Sequence, residues 1–236
     1  MSEQQPNRYI PAHADAFAHR LPNFMKRLVG GGPVKIVALG SSSTAGEGNI
    51  VPYPTRLQAR MQAKYGDRVM VLNRGKAGEE APRELHRMKA DVIDEEPALV
   101  IWQVGTNAVW QLGHDLDEVA AAIAKGLAQL GGTPIDAVLM DLQYVPAVLT
   151  ADKIEATRRM LSLIAQAAAT AKVNLFRRFA MMQQWHEIEK FSFDTMVDPA
   201  DETRLHQSDY SAQRVAFELG ETIAVAAART VQGALT

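Results

Sequence analysis

No cysteine occurs in the 236 residues, which excludes disulfides, thiolate metal sites and a cysteine nucleophile together. Neither sign of charge prevails. The 25 basic and 27 acidic side chains are mixed along the chain, giving a formal net charge of -2. That leaves no basic stripe to neutralise a phosphate backbone and argues against a nucleic-acid partner. Long apolar runs are missing too. No segment reaches the roughly 18 uninterrupted apolar residues of a membrane span, and the stretch from Met1 to Arg20 is polar, without a signal-peptide core. The expectation is a soluble protein, cytoplasmic by default, although a leader already trimmed away would leave the same sequence. Internal repeats and low-complexity segments are also absent.

What is present is an ordinary globular composition, 47% hydrophobic and 22% charged. A chain of this length suits one domain, residues 1–236, with 1–32 as a helical extension packed on it. Short apolar, β-branched runs at 34–39, 68–72, 98–104, 135–140 and, weakly, 172–176 predict five strands. Their near-continuous hydrophobicity predicts a parallel sheet covered on both faces. Helical spacing between them predicts helices over 53–65, 83–95, 116–130 and 153–171, a last one over 211–230, and an N-terminal one over 12–28. Pro52 and Pro54 suit a first turn, Gly131-Gly132 a helix stop, and Asp152 an N-cap. Right-handed crossovers then lead to a three-layer α/β/α sandwich, doubly wound, with its ligand site beyond the carboxyl ends of the strands.

The residues just after the strands are therefore the candidates. Gly40-Ser41-Ser42-Ser43-Thr44-Ala45-Gly46 follows the first strand as a small polar loop. It can present a nucleophilic serine beside backbone amides, or hold a phosphate as flavodoxins do; taken alone it favours neither. It is neither a Walker loop nor a Gly-x-Ser-x-Gly elbow. Gly78 and Asn107, after the second and third strands, are each suited to donate to an oxyanion, by a main-chain N–H and by a side-chain amide. A glycine turn and a capping asparagine are the plainer alternatives. His206 directly precedes the last helix and can reach back toward the first loop as a general base. His13, His19, His86, His114 and His186 lack metal-ligand spacing, and no metal is expected. Tyr53, Trp102, Trp110, Tyr144 and Trp185 are core residues or a wall for an acyl chain or sugar ring.

These blocks, in this order over nearly the whole chain, resemble the SGNH (GDSL-like) hydrolase family. The resemblance implies a flavodoxin-like five-stranded fold and hydrolysis of an oxygen ester through an acyl-enzyme, with no cofactor. Its Gly-Asp-Ser block is similar to Gly40-Ser41-Ser42, which implies Ser42 as nucleophile with its own N–H in the oxyanion hole. The Asn-x-x-x-x-Gly block ends at Gly78, the Gly-x-Asn block at Asn107, and the family's histidine corresponds to His206. Family members act on short acyl esters, acetylated carbohydrates, lipids and thioesters, so a small acyl ester or acetylated carbohydrate is the implied partner. Gln143 and Tyr144, after the fourth strand, are expected to touch it. Three positions depart from the pattern. Ser41 and Ala108 replace aspartates that do not react, but Thr203 stands where the family has the aspartate that orients the histidine. A strict alignment leaves a Ser-His dyad, whereas a short insertion would let Asp201, or else Glu202, supply the carboxylate. A flavodoxin-like FMN-binding protein and a non-catalytic module of the same fold are the rival readings. The exposed helix faces show no seam from which an oligomeric state can be read.

Overall fold

The structure, a computed structural model, describes residues 17–111 and 113–232. Five strands alternate with helices. The chain runs α1 (Pro22–Val29), β1 (Val34–Gly40), α2 (Ser42–Ala45), α3 (Tyr53–Tyr65), β2 (Val69–Gly75), α4 (Ala81–Asp91), β3 (Leu99–Gln103) and α5 (Thr106–Trp110). It continues through α6 (Leu116–Gly131), β4 (Asp136–Met140), α7 (Pro146–Leu149), α8 (Ile154–Ala171), β5 (Asn174–Phe176), α9 (Arg178–Glu187), α10 (Phe193–Met196) and α11 (Asp209–Gln232).

All strand pairings are parallel, in the order β2-β1-β3-β4-β5. The apolar strands β1 and β3 are buried through nearly every residue, as a sheet with helices on both faces requires. Helices α1, α3 and α11 pack together as one layer, and α4, α6 and α8 as the other. The expected three-layer, flavodoxin-like sandwich is what forms. Because β2 and β3 flank β1 on opposite sides, the strand order reverses at β1, and the crevice for a ligand opens beyond its carboxyl end. Ser42 begins the turn of helix that follows.

Several boundaries differ from expectation for physical reasons. The N-terminal helix begins at Pro22, not residue 12, since proline suits a first turn and residues 17–21 are not helical. Residues 12–16 of that expected helix, and His13, lie outside the described residues. β2 runs on to Gly75 because it pairs with β1 as far as Gly40, so Asn73 belongs to a strand rather than a loop. The fourth predicted helix is preceded by Lys153 with no side-chain cap, and Asp152 does not cap it. The weak fifth strand shrinks to three residues because Lys172, at φ 54°, closes α8 in the left-handed region instead of starting a strand. The short helices α2, α5, α7 and α10 went unforeseen. Each is a single turn or little more, too short to show a helical period. Of the aromatics weighed as a wall, Tyr53, Trp102 and Trp185 are buried in the core, while Trp110 and Tyr144 are partly exposed.

Candidate active site

Gln103, the last residue of β3, organises the turn after β1. Its Oε1 lies 3.0 to 3.2 Å from the Ser41 N–H and the hydroxyls of Ser41, Ser43 and Thr44. Three hydroxyls thus face inward and the fourth, on Ser42, faces His206. Asn73 holds the far end of the turn, its Nδ2 donating to the Thr44 and Ala45 carbonyls at 2.8 and 3.2 Å. Beneath it, the fully buried Arg178 donates to the Asp141 carbonyl at 3.1 Å and to the Ser43 hydroxyl at 3.2 Å. Burial lowers Arg178 to about 10 and raises Asp141 to about 7; their mutual attraction opposes both shifts.

Ser42 and His206 are 164 residues apart in sequence, and the Ser42 Oγ lies 3.1 Å from the His206 Nε2. On the other side of the ring, Nδ1 lies 3.0 Å from the Asp201 Oδ2. Asp201 reaches a histidine five positions on because the chain between them coils tightly. Arg204 adopts φ 57°, the Arg204 N–H donates to the Asp201 carbonyl, and the Thr203, Leu205 and His206 N–H groups all donate to the Asp201 carboxylate. Thr203 contributes its hydroxyl to Asp201 at 2.6 Å and does not take its place. Burial raises the Asp201 carboxyl, but these hydrogen bonds outweigh it and bring it down to about 2. A carboxylate at Nδ1 favours the tautomer whose Nε2 lone pair faces the serine hydroxyl. Glu202 is exposed and makes no such contact.

Asn107, buried in α5, donates from Nδ2 to the Glu79 carbonyl at 3.0 Å, next to Gly78. Gly78 has φ 74°, a conformation glycine adopts without strain, and nothing crowds the space where a side chain would be. Gln143 is turned inward: its Nε2 hydrogen-bonds the Leu205 carbonyl and steadies the residue before His206. Tyr144 stacks on Phe193 with centroids 5.7 Å apart, and its hydroxyl meets Glu187 at 3.3 Å. Neither lines the small hollow beside Ser42 and His206, whose walls include Gly46, Glu47, Ile50 and Pro52. A roomier groove of about 570 Å³ lies between α6 and α8 but contains none of these groups. His19, His86 and His114 are exposed, and His186 stacks on Phe193. Among the described residues no cluster suited to a metal ion occurs, and no helix is long and apolar enough to cross a membrane.

Sequence reasoning passed over Gln103 and Arg178. A polar residue ending a buried strand was the available signal for Gln103. Arg178 follows a strand, as the other site residues do, but that strand was too faint to draw attention to its end.

This fold is that of the SGNH/GDSL-like hydrolases. The chain belongs to the Non-GDSL lipase-like family, whose profile matches residues 9–229. Among solved structures it is similar to an acetylxylan esterase from Geobacillus stearothermophilus, with 18% identity, a TM-score of 0.68, and coverage of 82% of this chain and 95% of the other. A lipase/acylhydrolase from Enterococcus faecalis matches at 18% identity and TM-score 0.66, covering 80% and 95%. A putative lipolytic protein of the G-D-S-L family from Desulfitobacterium hafniense matches at 18% and 0.64, covering 80% and 99%. No curated protein matches the chain by sequence.

Proposed function

We propose that this protein hydrolyses carboxylic esters through an acyl-enzyme intermediate on Ser42. The observation that carries the reading is the continuous contact from the Ser42 hydroxyl through both nitrogens of His206 to the Asp201 carboxylate. As Ser42 Oγ attacks the ester carbonyl carbon, its proton passes to His206 Nε2, and Asp201 stabilises the imidazolium that results. The N–H groups of Ser42 and Gly78 and the Asn107 amide hold the oxyanion. The ester C–O bond then breaks, His206 returns the proton to the departing alcohol, and a water activated by the same ring releases the acid. The hollow beside Ser42 is narrow, which favours a small acyl group such as acetyl over a long chain, in keeping with the acetylated substrate named for the Geobacillus relative.

An FMN phosphate would need the hydroxyls of residues 41–44, and those of Ser41, Ser43 and Thr44 are turned toward Gln103. With Asp201 beside His206, a threonine at 203 no longer motivates a non-catalytic module. The test is hydrolysis of p-nitrophenyl acetate together with labelling by a fluorophosphonate probe. Wild-type protein should do both and Ser42→Ala neither while remaining folded; full activity in Ser42→Ala would remove Ser42 from the mechanism.

A further inference from the structure

Two hydrogen bonds, both donated by the turn bearing Asn107, join it to the loop bearing Gly78. The Asn107 Nδ2 donates to the Glu79 carbonyl at 3.0 Å, and the Ala108 N–H donates to the Glu80 Oε1 at 2.7 Å. The clasp is anchored further back. Arg87 grips the Glu79 carboxylate at 2.6 Å and also donates to the carbonyls of Arg74, at 2.7 Å, and Gly40, at 3.2 Å, so it ties in the ends of β2 and β1. We infer that Glu80 is a positioning residue of the proposed oxyanion hole, holding the α5 backbone so that the Asn107 amide faces the same point as the Gly78 N–H.

This inference rests on the ester-hydrolase reading above. One N–H of the Asn107 amide is committed to Glu79, which fixes the plane of the group and leaves the second N–H to donate. Rotation of α5 would turn both away, and the Glu80 carboxylate opposes that rotation from the backbone side. A buried carboxylate is an expensive acceptor, and this one serves two helices, taking the Ala81 N–H at the start of α4 at 3.3 Å and the Ala108 N–H of α5 at 2.7 Å. Burial pushes Glu80 up to about 7, against the pull of the N–H groups of Ala108, Ala81, Asn107 and Gly105. In return an oxygen acceptor held in place by packing fixes the Ala108 N–H at 2.7 Å, a bond that needs the oxygen rather than its charge.

The experiment compares wild type, Glu80→Met and Glu80→Gln by kcat and KM for p-nitrophenyl acetate and by Ki for phenylboronic acid, which forms a tetrahedral adduct on an active serine. Methionine keeps the volume and loses the acceptor; glutamine keeps an oxygen. Glu80→Met should lower kcat about 10- to 100-fold, with KM within about twofold and Ki raised by a comparable factor. Glu80→Gln should stay within about threefold of wild type in all three. A Met variant with wild-type kcat, a loss carried wholly by KM, a Gln variant as impaired as Met, or failure of both variants to fold would overturn the inference. An inactive wild type would instead bring down the esterase reading, and the inference with it.

Discussion

Asp201 receives hydrogen bonds on both carboxylate oxygens: Oδ1 accepts from the Thr203 N–H and hydroxyl, and Oδ2 from the N–H groups of Leu205 and His206. Every one of these favours the ionised form, which is why the carboxyl sits at about 2 despite burial. Because its folded value lies below its unfolded value of 3.8, Asp201 adds stability that is full above about pH 4. That contribution is lost as pH falls toward 2. Asp201→Asn should therefore lower kcat by on the order of 10²- to 10⁴-fold at neutral pH. The stability gap between wild type and this variant, measured by urea denaturation, should be constant from pH 7 to about 5 and shrink below about 4. An unchanged kcat would exclude Asp201 from orienting His206.

At the scale of elements, α6 approaches β3 so closely that Gly126 faces the ring of Trp102. A Cβ on Gly126 would lie 2.5 Å from Trp102 ring carbons. The indole cannot easily retreat, since it is buried and its Nε1 donates to the Glu84 carboxylate at 2.7 Å. Helix propensity alone favours Gly126→Ala by about 1 kcal/mol, while overpacking a rigid core costs about 1–3 kcal/mol. The clash should win. Gly126→Ala is expected to lower Tm, read by circular dichroism, and a raised Tm would mean that α6 shifts outward freely. The helical pattern of 116–130 was plain in the sequence, but Gly126 sits inside it without any mark of what it faces. Similarly α5, which carries Asn107, is too brief for periodicity and owes its position to Glu80 and Glu79 from another part of the chain.

For the whole molecule, α11 packs on both α1 and α3, and the Leu21 N–H donates to the Thr230 hydroxyl at 3.2 Å, so the two ends of the described chain meet. We expect one cooperative urea transition, coincident by tryptophan fluorescence and far-UV circular dichroism. Two separated midpoints would divide the chain into independent units. Strand number, parallel pairing and the layered form were legible beforehand, because hydrophobic runs and helical spacing are local properties that hold wherever a segment is placed. The serine-rich turn and His206 stood out for a similar reason, as reactive residue types just beyond predicted elements. Whether Asp201, Glu202 or no carboxylate meets the imidazole had no period or pattern to mark it, and was decided by a left-handed turn at Arg204 that brings Asp201 to the ring. Gln143 and Tyr144 are neighbours in sequence, yet the first is bound inside to Leu205 and the second is stacked among aromatics. The sequence by itself determined the sheet, its layers and the chemistry on offer after each strand. Tertiary structure alone decided which of those groups meet, because contacts across 164 residues depend on the summed path of every element between them.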